Sequence, residues 1–502
     1  MDKQVKQKLA FLYKNLSLMK KYSHAIGLMD FDFETCAPRD AKEEEGDTIS
    51  FFSNEYFKIA TSKKMKEATV FLYEHKDELD ELDRVLIDYL YDDYKKTKNV
   101  SPKTQLRWSK LFNKAYIDWC EAKEKADFSL FSESLGNVVE MAREKVSLRE
   151  DALPLFYDNL LNDCEKGVLT RDLDEFFGEL KEGLIELIGK IGKSKHKIRS
   201  DFLSRKVPIH KQEAFSKYLL ELNGYDFNRG CLSTTEHPFT SDVAENDARV
   251  TTHYYEDMFL SNVYSVIHEG GHAIFMQNER PEDHAHFIND HITNGMHESV
   301  SRFYENVIGR SREYIHLIYP KFAELFLEEL GDVSEEELYE AVNIVTPSLI
   351  RTEADEVTYG LHVVIRYEME KMICSGQIPI SDVPRKWNEL YKEYLGVIPE
   401  NDREGVLQDV HWAGSFGYFP SYALGNAYNA MYLKKIREDI DFDGAILRGD
   451  FDMIKSWMRE NVFKNANVLT PGEWLYSITG KRLSARDFLE YLSEKYKKIY
   501  RL

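Results

Sequence analysis

The chain has little of what staples, divides or anchors a protein. Its five cysteines (Cys36, Cys120, Cys164, Cys231 and Cys374) are odd in number, scattered and free of C-x-x-C pairs. That excludes a disulfide framework and reads as reduced thiols in a cytoplasmic protein. Thirteen prolines and 26 glycines form no Pro/Gly/Ser-rich linker, so residues 1–502 are expected to be one domain, in two lobes around a cleft. Basic residues are outnumbered, 66 Lys and Arg against 87 Asp and Glu. The resulting net charge of −21 repels phosphates and argues against nucleic acid as a partner. The one basic run, Gly189 to Lys197, reads as a solvated connector between helices. No apolar stretch is long enough to span a bilayer, and Met1 to Lys8 carry no apolar signal region, so no membrane contact is expected. Internal repeats and low-complexity tracts are lacking too.

What the chain does have is helix punctuation. Ser101-Pro102, Thr170 before Arg171-Asp172, Ser334 with Glu337, Thr470-Pro471, and Ser484 with Asp487 all read as helix starts. Strand-like alternation is scarce. A mainly α fold with a large core follows.

Against that background, His268-Glu269-Gly270-Gly271-His272 stands out. Histidines at i and i+4 share one helix face, where both imidazoles can reach one metal ion, and the glutamate between them faces the water such an ion holds. This is the H-E-x-x-H pattern of zinc hydrolases, in which the glutamate takes a proton from that water. The flanks repeat apolar residues at helical spacing: Leu260, Val263, Tyr264, Ile267, Ile274 and Phe275. Two mid-helix glycines cost about 1 kcal/mol each relative to alanine, so close approach by a partner helix or a substrate is expected to compensate. A third ligand is needed, with the fourth position open. Glu298 lies 26 residues after His272 (298 minus 272), on a second helix whose apolar stripe is Val300, Phe303, Tyr304, Val307 and Ile308. Glu298, Arg302 and Glu305 share the opposite side. Glu298 is the expected third ligand, on an antiparallel neighbouring helix.

Residues 350–374 read as a third helix, with Arg351, Asp355, Thr358 and His362 on one face. Arg351 and Asp355 are either an ordinary helix ion pair or, for the arginine, a clamp on a substrate carboxylate; spacing leaves both open. The stretch Gly405 to Gly425 is broken by glycines and a proline and crowded with polar and aromatic groups, as in a functional loop. His411, Tyr418 and Tyr422 there could donate to an oxyanion or a carbonyl, or simply pack as an aromatic turn. His237-Pro238-Phe239 and Asp247-Ala248-Arg249-Val250-Thr251 could be turn and cap chemistry. His284, His286 and His291 read as surface-loop histidines.

Taken together these segments resemble the carboxypeptidase Taq family of zinc- or cobalt-dependent metallocarboxypeptidases, over essentially the whole chain. The likeness rests on H-E-x-x-H, H-E-S at His297–Ser299, H-P-F at His237–Phe239 and D-x-R-x-T at Asp247–Thr251. It also rests on I-R-x-x-A-D at Ile350–Asp355, G-x-x-Q-D-x-H-W at Gly405–Trp412 and G-Y-F-P at Gly417–Pro420. Two departures stand out: Val300 where the family usually has glutamine, and Phe31 for the usual tryptophan. These are expected to change a helix contact or the surroundings of the metal, not the metal site itself. The resemblance implies a saddle-like helical fold with a deep central cleft, a homodimer, and removal of single C-terminal residues from peptides with a free carboxylate, with broad specificity. It implies Zn²⁺, with Co²⁺ as the alternative, on His268, His272 and Glu298, and Glu269 as base. His411 and Tyr422 would serve the oxyanion, and Tyr418 and Arg351 the substrate carboxylate. Asp247, Arg249 and Thr251 would close the end of the groove, and His237 would bind the substrate with them. Asp409 and Asp355 are the expected orienters of the histidines. The rivals are a dipeptidyl carboxypeptidase or oligoendopeptidase with the same chemistry, and a metal- or peptide-binding protein without catalysis, against which Glu269 argues.

Overall fold

The computed structural model describes residues 2–502. Four helices come first: α1 (Lys3–Thr35), α2 (Lys42–Ala60), α3 (Lys63–Glu74) and α4 (Glu81–Thr97). They are followed by α5 (Pro102–Lys125), α6 (Ser129–Ser147), α7 (Phe156–Cys164), α8 (Thr170–Ile191) and α9 (Ile209–Asn223). A small sheet of β1 (Leu232–Thr234), β2 (Thr240–Ala244) and β3 (Asp247–Thr252) then precedes α10 (Phe259–Met276), α11 (Pro281–Ala285) and α12 (Asn294–Arg302). Next are α13 (Arg312–Leu325), α14 (Leu327–Leu330), α15 (Glu335–Ala341), α16 (Tyr359–Ser375), α17 (Val383–Leu395) and α18 (Phe419–Asp439), with four further helices to Tyr500. The fold is mainly α. Among the described residues no helix is long and apolar enough to cross a membrane.

Local chemistry explains most helix starts. Ser101 accepts from Thr104 N–H with Pro102 at the first turn, and Ser334 forms a capping box with Glu337. Thr470 does the same with Glu473. At α8 the start lies one residue earlier than the threonine suggests: Leu169 is the cap and Asp172 accepts its N–H, while the Thr170 hydroxyl turns to Asp158.

Two expectations fail here. Residues 350–374 are not one helix. Arg351–Glu353 form a short turn and α16 begins only at Tyr359. Asp355 causes the break, because its carboxylate accepts from the N–H groups of Val357, Thr358 and Thr346 and competes with helical bonding. Arg351 and Asp355 therefore share no helix face. The D-x-R-x-T segment is not a turn either: it is β3, the centre of a sheet ordered β1–β3–β2, parallel to β1 and antiparallel to β2.

Two hydrophobic clusters fill the molecule. The larger runs from Trp108 to Tyr500 and surrounds α10, α12, α16 and α18. The smaller belongs to α1, α3 and α4, with Val5, Leu12, Leu72 and Ile87, but it also takes in Ile288 from the segment joining α10 to α12. That segment is less exposed than its histidines suggested. His284 is buried, with Nε2 3.1 Å from Glu279 Oε2, and His291 stacks on Tyr89 at 3.9 Å.

The two glycines of α10 sit where other helices touch it. A Cβ on Gly271 would lie 2.8 Å from Ser301 Cα of α12, and one on Gly270 would lie 2.6 Å from Leu220 Cδ2 of α9. The backbones of α10 and α12 are thus in direct contact, which offsets the glycines' cost and sets the distance between their side chains.

Candidate active site

His268 and His272 lie one turn apart on α10, and Glu298 of α12 reaches between them. Its Oε2 is 3.6 Å from His268 Nε2 and 3.5 Å from His272 Nε2. Four ligands placed tetrahedrally at about 2.0–2.1 Å from zinc are about 3.3–3.4 Å from one another. The two histidine–carboxylate separations match that spacing closely, all three donor atoms lie within 4.8 Å of one another, and two imidazoles with one carboxylate are a donor set suited to such an ion.

The ligands are held from behind. Glu298 Oε1 accepts from Arg302 Nε at 2.8 Å. Burial alone would raise the Glu298 carboxyl, but the charges of His268 and Arg302 outweigh it and hold the group well below the usual carboxylate range. His268 Nδ1 lies 2.8 Å from Glu305 Oε2, so the ring donates there and turns the Nε2 lone pair inward. Glu305 is pulled down to about 2: burial opposes this, and Arg302, His268 and Arg310 prevail. His272 Nδ1 pairs with His297 Nδ1 at 2.5 Å. The residues behind the histidines are thus Glu305 and His297, not the expected Asp409 and Asp355. Asp355 is spent on capping, and Asp409 binds two arginines. A π-helical turn, Phe303–Ile308, follows α12 directly and carries Glu305.

Glu269 borders the same space. Its Oε2 is 2.6 Å from the Thr240 hydroxyl of β2. A cavity of about 700 Å³ opens beside it, lined among others by His268, Glu269, Arg302, Glu305, Arg351 and Tyr359.

Arg351 is 7% exposed. Its Nε and Nη2 both lie 3.0 Å from Asp409 Oδ1, and Nη1 donates to Tyr359 Oη at 3.2 Å. Arg366, fully buried, donates to the other Asp409 oxygen at 2.8 Å. One carboxylate thus serves two guanidiniums, and the cluster keeps a surplus positive charge. Arg351 also lies over the Tyr422 ring, 4.6 Å from its centroid. Tyr422 Oη is 3.3 Å from His411 Nε2, and the Tyr418 ring is 5.3 Å from that of Tyr422. Burial pushes His411 down to about 4 against the pull of Asp409, so the imidazole is neutral at pH 7. Burial, then the charge of Glu298, pushes Tyr418 up to about 12.

The groove-closing set stands apart from this cavity. Asp247 and Arg249 pair with each other at 2.7 Å, and Arg249 lies over Phe31, whose ring meets Phe239 edge-on. Thr251 is fully buried and spends its hydroxyl on Phe239, accepting from its N–H at 2.8 Å and donating to its carbonyl at 2.9 Å. It has no free group for a substrate. His237 is exposed, and its neighbour Pro238 lines the cavity. Val300 is fully buried and does not line it. Sequence reasoning missed Thr240, His297 and Arg366; each acts through a contact more than 20 residues away in the chain, which no local spacing reveals.

The family model for Carboxypeptidase Taq (M32) metallopeptidase matches residues 11–496. The chain is 39% identical over 492 residues to carboxypeptidase 1 of Bacillus subtilis (strain 168), covering 97% of each. It is 37% identical over 417 residues to thermostable carboxypeptidase 1 of Thermus thermophilus, covering 81% of this chain and 82% of that one. Among solved structures, the M32 carboxypeptidase from Deinococcus radiodurans R1 superposes with a TM-score of 0.95 at 29% identity, covering 99% and 100% of the two chains.

Proposed function

The chain belongs to the carboxypeptidase Taq (M32) metallopeptidase family, and on that premise we propose that it releases single residues of many kinds from the C-terminal ends of peptides. His268, His272 and Glu298 would hold the ion, Zn²⁺ with Co²⁺ as the alternative, whose Lewis acidity polarises the scissile carbonyl and acidifies water. Glu269 takes the proton of the attacking water and passes it to the leaving amine. Neutral His411 and Tyr422 donate toward the oxygen that gains charge. Arg351, assisted by Tyr418, receives the substrate's terminal carboxylate. A guanidinium has five N–H donors. Arg351 gives a hydrogen bond from Nε to Asp409 and one from Nη1 to Tyr359, with Nη2 ion-paired to Asp409, and further N–H donors are left for a carboxylate. The observation that carries the reading is this surplus cation lining one cavity with Glu269 and His268. A cytoplasmic homodimer belongs to the same reading. Five free thiols support the location, and exposed Phe112, Tyr116 and Ile117 on α5 offer an apolar face for assembly. Sedimentation measures the latter.

The test is Glu269→Gln in metal-replete protein. It should keep stoichiometric metal and lose several orders of magnitude in kcat, because the water has lost its proton acceptor. Near-normal turnover would sink the mechanism, and mass spectra showing release of dipeptides would replace single-residue trimming by a dipeptidyl activity.

A further inference from the structure

We propose that Thr240 is a positioning residue for Glu269, set in place by Thr251, so that the strands β2 and β3 form a clamp on the carboxylate that handles the proton. The inference rests on Glu269 being the base.

Thr240 is the first residue of β2, directly after His237-Pro238-Phe239. Its hydroxyl lies 2.6 Å from Glu269 Oε2 and 2.8 Å from the Glu269 carbonyl oxygen. A hydroxyl has one proton and can donate to only one of them at a time. With the side chain ionised, the charge-assisted bond to Oε2 is the stronger, and its length falls in the range for O–H···O⁻. No other hydrogen bond reaches this carboxylate among the described residues. Glutamate has three rotatable bonds, and half-exposed on the cavity side it would otherwise sample several rotamers. Thr240 selects one of them.

Thr240 is itself fixed. It stands opposite Val250 in the β2–β3 register, and its neighbour Phe239 is gripped by three hydrogen bonds to Thr251, two through the hydroxyl and one from the Thr251 N–H at 2.9 Å. The next residue of β3, Thr252, accepts from Asn262 Nδ2 at 2.9 Å. Asn262 belongs to α10, two turns before Glu269, or about 10 Å at 1.5 Å per residue. The strand is therefore fastened to the same helix whose carboxylate it holds, through Asn262, Thr252, Thr251, Phe239 and Thr240 in turn. A closed circuit of this kind fixes the carboxylate relative to His268 and His272 without touching either. It also gives buried Thr251 a purpose that contact with substrate does not.

The experiment compares Thr240→Val, Thr240→Ser, Thr251→Val and Thr240→Val/Thr251→Val with wild type and Glu269→Gln, all metal-loaded, on one blocked dipeptide. Thr240→Val, which keeps shape and loses the hydroxyl, should lower kcat by about 10- to 100-fold, the effect of a misplaced reacting group, with KM within about twofold. Metal content and Tm should stay at wild-type values, and a crystal structure should show the Glu269 carboxylate displaced. Thr240→Ser should recover most of the kcat. Thr251→Val should lower kcat too, and the double variant should add little to Thr240→Val, because both act through one contact. If Thr240→Val keeps wild-type kcat while Glu269→Gln is inactive, the clamp is refuted and the base stands. If Glu269→Gln itself turns over normally, the base assignment has failed. Equal losses in Val and Ser, additive losses in the double variant, or a fall in the Tm or metal content of Thr240→Val would each make these threonines merely structural and overturn the proposal. Should Thr240→Val not fold, Thr240→Ala is read by the same criteria.

Discussion

Replacing Arg351 by alanine removes the proposed anchor for the substrate carboxylate, and the structure sets limits on the cost. Losing one member of a buried charged pair costs about 2–5 kcal/mol, and the upper end includes the penalty of stranding the partner. Here the resident partner is not stranded. Asp409 keeps Arg366, with Nε 2.8 Å from Oδ2, and the pocket loses only its surplus charge. The lower half of the range applies, about 2–3 kcal/mol, or a fall of about 30- to 150-fold in kcat/KM on free-acid peptides. Arg351→Lys should recover only part, since an ammonium cannot bind Asp409 while presenting two parallel donors to a carboxylate. The assay is a matched pair of peptides, one ending in the acid and one in the amide. Wild type should prefer the acid strongly, and Arg351→Ala should erase the preference by losing activity on the acid alone. If acid and amide fall by the same factor, Arg351 supports the loop through Asp409 and Tyr422 and does not read the carboxylate.

Glu305→Gln should keep a hydrogen bond to His268 but lose its charge, weakening metal affinity by about 10- to 100-fold in a chelator competition; an unchanged affinity would remove Glu305 from the site. Gly271→Ala places a methyl against Ser301 Cα, so α12 must shift, destabilising the protein by about 1–3 kcal/mol and loosening the metal with it; wild-type Tm and affinity would mean that the helices are not locked. Burial raises Glu370 to about 8, with one oxygen bonded by Tyr157 Oη and Gly417 N–H. Its folded pKa lies above the unfolded one, so its contribution to stability is complete below about pH 4.5 and is lost as pH rises through 8. Glu370→Gln should therefore gain Tm over wild type as pH rises from about 4.5 to 8 and level off above it, and parallel curves would refute the buried neutral acid.

The part of the site legible in the sequence is the part that one helix carries. His268, Glu269 and His272 follow from helical periodicity, and Gly270 and Gly271 announce a close neighbour because nothing else compensates two glycines in mid-helix. Glu298 was reachable because the stripe from Val300 to Ile308 fixes the phase of α12. What stayed hidden depends on contacts between distant segments. The i, i+4 spacing of Arg351 and Asp355 mimics a helix, but Asp355 captures three backbone N–H groups and ends the pattern, and Arg351 finds its carboxylate 58 residues later in Asp409. The sheet was missed because β3 is polar on one side, short, and buried by α10 on the other. The orienting partners of the histidines were misassigned because Glu305, on the polar face of an apparently solvated helix, lies under the Arg302 and Arg310 guanidiniums instead of in water.

The reach of Ile288 into the smaller hydrophobic cluster bears on how freely this architecture can be cut or recombined. The seventeen positions between Met276 and Asn294 look like a dispensable insertion between two ligand-bearing helices. In the folded chain they are a plug: Ile288 is fully buried in the cluster built mainly from α1, α3 and α4, Phe287 meets Tyr13 edge-on at 5.4 Å, and Phe287 adopts a left-handed backbone at φ 57 to get there. Trimming away the first four helices would leave that plug in water, tethered at both ends to the very segments that must hold His272 and Glu298 a few ångströms apart. Shortening the plug would uncover the first four helices in return. Neither piece is portable, and a grafted or minimised version of this hydrolytic centre has to carry both.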